Sequence, residues 1–335
     1  MTAVLQLDPE RPDPEAIERA AAVIRGGGLV AFPTETVYGL GADATNGRAI
    51  RKLFEAKGRP ADNPLIVHVA SREMFRAVAA DVDEKSERLI ERFWPGPLTL
   101  VVRRGPQVAA EVSSGLETVA VRMPRNAIAL ELIRRAATPI AAPSANLSGR
   151  PSPTRAEHVR ADLGGRIALV LDGGPASIGI ESTVLDMTAD PPVILRPGWI
   201  TPEAIKEVTG AVAIAVTGEA LRRSPGTRHR HYSPRARVVL LERGDPRFIQ
   251  RFCEELLKSG RVAYLGHTRV DIESPDLSSI ILENDPRDYA RSIYRALRAL
   301  DATGPLTIVV EGIDEAGEGA AVMDRLRRAA SEIVS

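Results

Sequence analysis

The chain has 335 residues, which corresponds to about two domains at roughly 150 residues each. Its composition, 44% hydrophobic and 26% charged, is that of an ordinary globular protein. The formal net charge of +0 excludes a general electrostatic attraction to nucleic acids or membranes, so any such partner must be bound by a local patch.

Cysteine usage and the lengths of the apolar runs indicate the compartment. The single cysteine, Cys253, cannot form an intramolecular disulfide and excludes multi-cysteine zinc sites, and its apolar helical neighbours place it in a core. The N-terminal segment is polar and partly acidic, unlike a secretory signal. No apolar run approaches the about 20 residues that span a bilayer. We therefore expect a cytoplasmic protein with no membrane partner.

Helical and strand patterns alternate through the first two-thirds of the chain. Asp13 and Pro14 begin a helix that Gly26 ends, and a Thr154–Glu157 capping box and Thr201 begin two later ones. The other predicted helices are 47–57, 84–93 and 126–137. The predicted strands are 29–32, 65–69, 98–102, 118–121, 140–142, 167–171, 182–185 and 193–195. This order predicts an α/β fold with a mixed, twisted sheet and helices packed against it.

A second unit follows a basic segment. Residues 221–237 contain many cations, Pro and Gly but no carboxylate, which favours an extended linker. Beyond them we predict strands at 238–241, 261–265 and 306–310 and helices at 246–258, 288–300 and 320–333, an order typical of a small parallel-sheet domain. The predicted organisation is a catalytic domain over 1–215, a linker over 216–236 and a C-terminal domain over 237–335.

Polar residues of the first unit cluster in turns next to predicted apolar strands, where α/β sheets place ligand sites. The clusters are residues 33–41, 57–64, 122–125, 143–149, 181–183 and 196–198. They contain Arg, Lys, Ser, Thr and Asn with few carboxylates. Point charges, guanidinium forks and short donors together are the groups that bind an anion.

Each cluster alone has a simpler explanation. Lys57 and Arg59 are compatible with a solvated helix end, Ser144 and Asn146 with a capped turn, and Arg122 with ordinary surface charge. The occurrence of all of them at strand ends favours a phosphate-binding pocket over these separate explanations.

Other chemistries lack their signatures. Gly39 and Gly41 fit a dinucleotide fingerprint only superficially, and we expect them to let the backbone bend under a ligand. The sequence has no P-loop motif and no nucleophile elbow. His229 and His231 have no Asp, Glu or Cys cluster beside them, so no metal site is predicted. His68, opposite in direction to its neighbours on a strand, is by itself more typical of a core histidine.

The motifs taken together resemble the threonylcarbamoyl-AMP synthases, in the longer form with an extra C-terminal domain. They occur in the family's order as PTETVYGLG, KGRPADNPL, FWPGPLTLV, VRMP, PSANLSG, ESTV, LRPG, the linker SPGTRHRHYSP and GEGAAVMDRLRRAA. The resemblance implies a YrdC-like α/β domain with a concave basic face and a Rossmann-like C-terminal domain. The linker departs from the family at Thr227 and His229.

The activity that the resemblance implies is a nucleotidyltransferase reaction. The family condenses L-threonine, bicarbonate and ATP to threonylcarbamoyl-adenylate with release of pyrophosphate. A separate transferase complex then passes the threonylcarbamoyl group to an adenosine beside the anticodon of certain tRNAs. This chemistry requires positioning and charge stabilisation more than a protein nucleophile, which agrees with the cation-rich turns.

The resemblance also assigns residues. The positions implied to bind L-threonine are Thr36, His68, Arg122, Ser182 and the backbone of Ala142. Those implied to bind ATP are Lys57, Arg59, Asn63, Thr118, Ser144, Asn146, Ser152 and Arg196, with His231 or Tyr232 of the linker closing over the nucleotide. Lys57 and Arg59 are the candidate catalytic residues, because they would offset charge on the triphosphate. We expect Mg²⁺ to bridge the phosphate oxygens, since few carboxylates are present to hold it.

Two competing functions agree less well with the sequence. An RNA-binding module without catalysis is compatible with the linker arginines and would allow weak RNA contact, but aromatic residues for stacking make up only 4% of the chain. A carbamoyltransferase for metallocentre maturation would carry cysteine-rich zinc motifs, which one cysteine excludes. The C-terminal domain could serve as a lid, a regulator or a stabilising scaffold, and the sequence leaves these open.

Overall fold

The computed structural model describes residues 1–215, 223–225 and 232–335, which fall into two compact units. Of these residues, 1–148, 152–215 and 223–225 group in the first unit. Residues 149–151 group with 232–335 in the second unit. The sequence did not predict this, because it placed all of residues 1–215 in one domain. Most of the predicted linker lies outside the described residues.

The first unit contains an 11-stranded mixed sheet and seven described helices. Its strands are β1 Ala3–Gln6, β2 Val30–Phe32, β3 Gly39–Asp43, β4 Ile66–His68, β5 Leu98–Arg103, β6 Thr118–Arg122, β7 Ile140–Ala141, β8 Leu169–Asp172, β9 Thr183–Asp186, β10 Val193–Arg196 and β11 Ala213–Ile214. Its helices are α1 Pro14–Arg25, α2 Gly47–Lys57, α3 Arg72–Val78, α4 Glu84–Phe93, α5 Ala127–Ala136, α6 Ala156–Leu163 and α7 Pro202–Thr209.

Strand order in this sheet is β1-β8-β2-β3-β7-β4-β6-β5-β9-β10-β11. Parallel pairs such as β4–β6 and β5–β9 alternate with antiparallel pairs such as β5–β6 and β4–β7. The strands are short, and every central one is buried. The mixed sheet predicted from the sequence is therefore confirmed.

Local signals explain where the helices begin and end. The Asp13 carboxylate accepts a hydrogen bond from the Glu15 N–H at 3.0 Å and caps α1, and Gly26 follows its last residue. Asn46 caps α2, which ends at Gly58 in the left-handed conformation at φ 59°. Each helix then buries one apolar stripe against the sheet.

Two apolar clusters cover opposite faces of the sheet. One packs Ile17 and Ile24 of α1 with Leu132 of α5 against Val30 and Phe32 of β2. The larger cluster lies on the other side, where α2 and α4 cover the central strands. On the face of β4 and β6 that does not belong to the larger cluster, only a small group of apolar side chains is buried, including Ile66 and Ala120. The polar residues described below lie beside this small group.

Some predictions for the first unit were wrong. Strands β1, β3 and β11 and helix α3 were not predicted. Thr154 does not cap α6, because its backbone N–H donates to His158 Nδ1 at 3.3 Å and the N-cap position is Arg155. Gly39 and Gly41 do not bend the chain but both lie in β3, where a Cβ on Gly41 would come within 2.8 Å of Phe32 and Ile140 side-chain carbons.

The second unit is a five-stranded sheet in which every pair is parallel; the sequence predicted the parallel sheet but only three of its strands. The strands are β12 Arg237–Leu241, β13 Val262–Gly266, β14 Leu277–Ile281, β15 Thr307–Glu311 and β16 Glu332–Val334, in the order β14-β13-β15-β12-β16. The helices are α8 Pro246–Leu257, α9 Pro286–Ala302 and α10 Gly319–Ala329. The predicted last helix was too long, because its final residues form β16 beside β12.

Cys253 lies in the core of this unit, as predicted. It is fully buried on α8 among Val239, Ile249 and Tyr264. Burial raises the pKa of its thiol to about 12, so it stays a neutral apolar side chain. In the part of the chain that the structure describes, no helix has the length and apolar character to cross a membrane.

Candidate active site

One face of β4 and β6 carries the central polar side chains. His68 pairs with Arg122 and Ile66 pairs with Ala120 in the parallel register of these strands. Because side chains alternate along a strand, these four share one face, while Val67 faces the larger core. The sequence prediction that His68 points away from Val67 is confirmed.

The Arg122 guanidinium is the centre of the first group. It is 3% exposed, and its Nε donates to the Gly96 carbonyl at 3.1 Å. One terminal nitrogen donates to Thr36 Oγ1 at 2.8 Å, and the other lies 2.7 Å from Glu35 Oε1. Thr34 Oγ1 lies 2.8 Å from Thr36 Oγ1 and orders that turn. The structure thus brings together Thr36 and Arg122, which the sequence assigned to one ligand.

His68 completes this group as a neutral imidazole. Its ring meets Phe32 edge-on, with centroids 6.1 Å apart. Burial, and then the positive charge of Arg122, lower the pKa of His68 to about 3. Its Nδ1 is buried and has no hydrogen-bond partner among the described residues. A neutral ring with an unused nitrogen can donate to or accept from a small polar ligand.

Ser182 lies one residue before β9 and contacts the neighbouring strands. Its hydroxyl is 2.7 Å from Thr99 Oγ1 on β5. The Arg196 guanidinium donates to the Ser182 carbonyl at 3.1 and 3.2 Å and to its hydroxyl at 3.3 Å. Gly198 passes so close that a Cβ there would lie 2.5 Å from the Ser182 carbonyl carbon. Arg196, assigned to the nucleotide, therefore orients a residue assigned to threonine.

Lys57 and the turn after β7 form the next group. The Lys57 ammonium donates to the Ser144 carbonyl at 2.5 Å and also to the Asn146 carbonyl. The Ser144 hydroxyl donates to Asn146 Oδ1 at 2.6 Å. Burial, followed by the like charge of Arg59, lowers the pKa of Lys57 well below its ordinary value. The ammonium holds this turn in place and is only 2% exposed.

Arg59 and Asn63 lie just before β4. The half-buried Arg59 donates to the Asn63 carbonyl at 3.2 Å and to the Pro64 carbonyl at 2.9 Å. Thr118 begins β6, two residues before the partner of Ile66, so it lies at the same end of the strands. Thr118 and Arg122 are four residue steps apart along the extended strand β6, about 13 Å. Arg59, Asn63 and Thr118, assigned to ATP, thus lie at one end of β4 and β6, and His68 and Arg122, assigned to threonine, lie at the other.

Backbone hydrogen bonds tie the surrounding loops together. Tyr38 donates to the Pro153 carbonyl and accepts from the Ala145 N–H, both at 2.8 Å. Ser152 donates to Glu181 Oε1 at 2.5 Å. The Ala142 N–H donates to the Ile66 carbonyl at 2.8 Å, which places that backbone beside β4. These hydrogen bonds place loops that are far apart in sequence next to one another.

Of the two linker residues assigned to the nucleotide, only Tyr232 lies within the described part of the chain. His231 lies outside the described residues, as do Thr227 and His229. Tyr232 belongs to the second unit, where it is 4% exposed and stacks on Tyr294 with centroids 5.4 Å apart. Its role over the nucleotide stays a prediction.

Four polar side chains that contact the assigned residues were given no role from the sequence. They are Thr34, Glu35, Thr99 and Glu181. Thr34 and Glu35 directly precede Thr36 in the turn after β2. Their closeness in sequence to Thr36 was the feature that could have identified them. Within the described ranges, no three His, Cys, Asp or Glu side chains are grouped to hold a metal ion.

Two family models match the chain. One, described as "Telomere recombination", matches residues 22–198, and another, described as "Threonylcarbamoyl-AMP synthase, C-terminal domain", matches residues 200–331. Together they cover both units.

Curated relatives and solved structures agree with these matches. A threonylcarbamoyl-AMP synthase of Pyrococcus abyssi is 46% identical over 98% of both chains, and one of Bacillus subtilis is 46% identical over 95% of this chain and 93% of its own. The crystal structure of P. abyssi Sua5 with L-threonine covers 100% of both chains, with a TM-score of 0.94 and 43% identity. Escherichia coli YciO covers 58% of this chain and 95% of its own at a TM-score of 0.54 and 23% identity, which shows the fold alone.

Proposed function

The chain belongs to the threonylcarbamoyl-AMP synthase family, and on that premise we propose how its residues divide the substrates between them. The protein is an enzyme that condenses L-threonine, bicarbonate and ATP to threonylcarbamoyl-AMP and releases pyrophosphate. This is the first step of threonylcarbamoyl-adenosine modification of tRNA.

The threonine subsite in this proposal is the group around Arg122. The observation that supports it is that buried polar atoms with unused hydrogen-bonding capacity meet there. His68 Nδ1 has no hydrogen-bond partner in the described part, and the Arg122 terminal nitrogen that lies 2.7 Å from Glu35 Oε1 makes no directed hydrogen bond. Buried polar groups are nearly always satisfied, so such atoms mark a place for a polar ligand. Arg122 binds the carboxylate of threonine, and the hydroxyls of Thr36 and Ser182, with neutral His68 and the Ala142 backbone, surround its small polar side chain.

The nucleotide subsite in this proposal extends from the opposite end of β4 and β6, where Arg59, Asn63 and Thr118 lie, to Arg196 beside Ser182. Its members in this proposal are Arg59, Asn63, Thr118, Ser144, Asn146, Ser152 and Arg196, with His231 or Tyr232 from the linker. Arg59 offsets phosphate charge, and the short hydroxyl and amide groups bind phosphate oxygens or the nucleoside. Lys57, whose ammonium contacts two carbonyls, acts by positioning the Ser144–Asn146 turn.

Catalysis in this arrangement depends on placement and charge. The carbamate formed on the threonine nitrogen attacks the α-phosphorus while pyrophosphate leaves, and no protein nucleophile is needed. The cation-rich turns stabilise charge on the leaving phosphates. Mg²⁺ would neutralise charge on the phosphates of ATP; since no cluster of carboxylates stands ready for it among the described residues, it would enter together with ATP.

Two partners beyond the substrates complete the proposal. The product is an activated acyl-adenylate, so a separate tRNA threonylcarbamoyl transferase complex must consume it. Weak contact of the linker arginines with RNA would help to deliver it.

Pyrophosphate release is the experiment for this function. The full chain is incubated with ATP, Mg²⁺, L-threonine and bicarbonate, and products are separated by chromatography. We expect pyrophosphate and a new adenylate in equal amounts, and neither when threonine or bicarbonate is omitted. Pyrophosphate release that is unchanged when threonine or bicarbonate is left out would contradict the proposal.

A further inference from the structure

Glu35 is a buried carboxylate inside the proposed threonine subsite to which the assignments above give no role. It lies in the turn after β2 and is 4% exposed. Its backbone carbonyl accepts a hydrogen bond from the Ile178 N–H at 2.7 Å, which anchors the turn. Its side chain lies 2.7 Å from the Arg122 guanidinium. A full negative charge therefore lies directly beside the positive charge that recognises the substrate.

The pair is incompletely hydrogen-bonded. Neither Glu35 oxygen has a directed hydrogen bond within the described residues, and the Arg122 terminal nitrogen facing Glu35 is in the same state. Arg122 uses its other nitrogens on Gly96 and Thr36. A buried ion pair stabilises a fold only when its geometry is excellent and its remaining lone pairs are satisfied. Among the residues that the structure describes, the Glu35–Arg122 pair lacks both a directed hydrogen bond and partners for its remaining lone pairs. We therefore expect it to contribute little to folding stability and to be available to a ligand.

The missing partner has a recognisable chemistry. A buried cation and a buried anion side by side complement a molecule that carries the opposite charges on adjacent atoms. An α-amino acid does so, with a carboxylate and an ammonium group on one carbon. We propose, resting on the proposed function, that Glu35 binds the α-ammonium group of threonine while Arg122 binds its carboxylate. Glu35 thereby selects a ligand that carries an amino group at this position and holds its nitrogen in place.

Discrimination between two ligands tests this role. Isothermal titration compares L-threonine with 2,3-dihydroxybutanoate of the same configuration, which replaces the ammonium with a hydroxyl and keeps every other group. The wild-type chain is expected to bind threonine about 10- to 100-fold more tightly, the range for a hydrogen bond between charged groups. The variant Glu35→Gln keeps the shape without the charge, and the preference should fall to within about threefold of parity.

Two further variants serve as controls. Asp186→Asn removes another buried carboxylate of the first unit, paired with Arg223 at 2.8 Å, and should leave the preference unchanged. Glu35→Asp retains the charge at a shorter reach and should restore part of the preference. Because the preference is a ratio, a partly unfolded sample does not alter it.

The results separate this proposal from the function beneath it. A wild-type chain that binds both ligands equally, or a Glu35→Gln variant with an unchanged preference, would overturn the role of Glu35 alone. A wild-type chain that releases pyrophosphate without threonine would overturn the proposed function instead.

Discussion

The Arg196 guanidinium donates hydrogen bonds to both the carbonyl and the hydroxyl oxygen of Ser182, at 3.1 to 3.3 Å. Arg196 was assigned to ATP and Ser182 to threonine. A single guanidinium fork therefore connects the two proposed subsites. Because Arg196 is 3% exposed, its orientation is set by the protein before any ligand arrives.

Replacing that fork should affect both substrates together. Arg196→Lys keeps the charge but has one ammonium where two nitrogens hold Ser182. We expect KM for ATP and for threonine each to rise about tenfold, as for loss of a hydrogen bond to a charged group. Steady-state pyrophosphate release measures both. Arg134→Lys, at an exposed position on α5, is the matched control, and unchanged KM values in Arg196→Lys would refute the connection.

The close approach of Gly198 to Ser182 gives a second prediction. A methyl group there must displace the backbone at residues 182–183, which should lower stability by about 1–3 kcal/mol and weaken threonine binding. Gly198→Ala is compared with Gly210→Ala, where φ is 78° but no atom lies within 4 Å of a Cβ. Only Gly198→Ala should reduce threonine affinity by titration calorimetry. Equal affinity in the two variants would contradict this reading.

Lys57 gives a third prediction, since we propose that it affects the reaction rate by holding the Ser144–Asn146 turn in position. Lys57→Met removes the two hydrogen bonds to Ser144 and Asn146 while it fills similar volume. The expected loss in kcat/KM for ATP is about 10²- to 10³-fold, by analogy with losing one preorganised donor. Lys52→Met changes an exposed lysine on the same helix and should leave the rate within about twofold. Wild-type turnover in Lys57→Met would end this role.

The buried neutral His68 makes stability depend on pH. The unfolded chain protonates this histidine near pH 6.5, whereas the folded chain does so only near its lowered pKa of about 3. The contribution is therefore complete above pH 6.5 and is lost as pH falls toward 3. Relative to His68→Gln, wild type should lose about 1.4 kcal/mol of unfolding free energy per pH unit below pH 6. Urea unfolding at several pH values measures this, and a constant difference would contradict it.

The sequence predicted the parts of the site that follow from strand-end positions. Arg122 and Ser182 come at the boundaries of apolar strands, and the strand-end rule for α/β sheets brings such residues together. Glu35 was missed because one carboxylate among hydroxyls gives no sign of burial. The direction of the Lys57 ammonium could not be predicted either, since a helix-end lysine can reach a ligand or a carbonyl equally well.

Errors in the fold came from contacts that are distant in sequence. The apolar residues near the end of the chain keep the spacing of a helix. Residues 332–334 nevertheless form a strand, because they pair with β12, with Glu332 opposite Val239. Thr154 has the spacing of a capping box, but its neighbour Pro153 is held by the Tyr38 N–H, and the helix starts later. Local propensity is a weak prior when such pairings compete with it.

The most direct test of the central claim is isotope labelling of the product. The claim is that threonine and ATP are held side by side, so that carbon from bicarbonate joins the threonine nitrogen and the α-phosphate. With ¹³C-bicarbonate and ¹⁵N-threonine, mass spectrometry should show one adenylate that carries both labels. An adenylate that lacks either label would contradict the account.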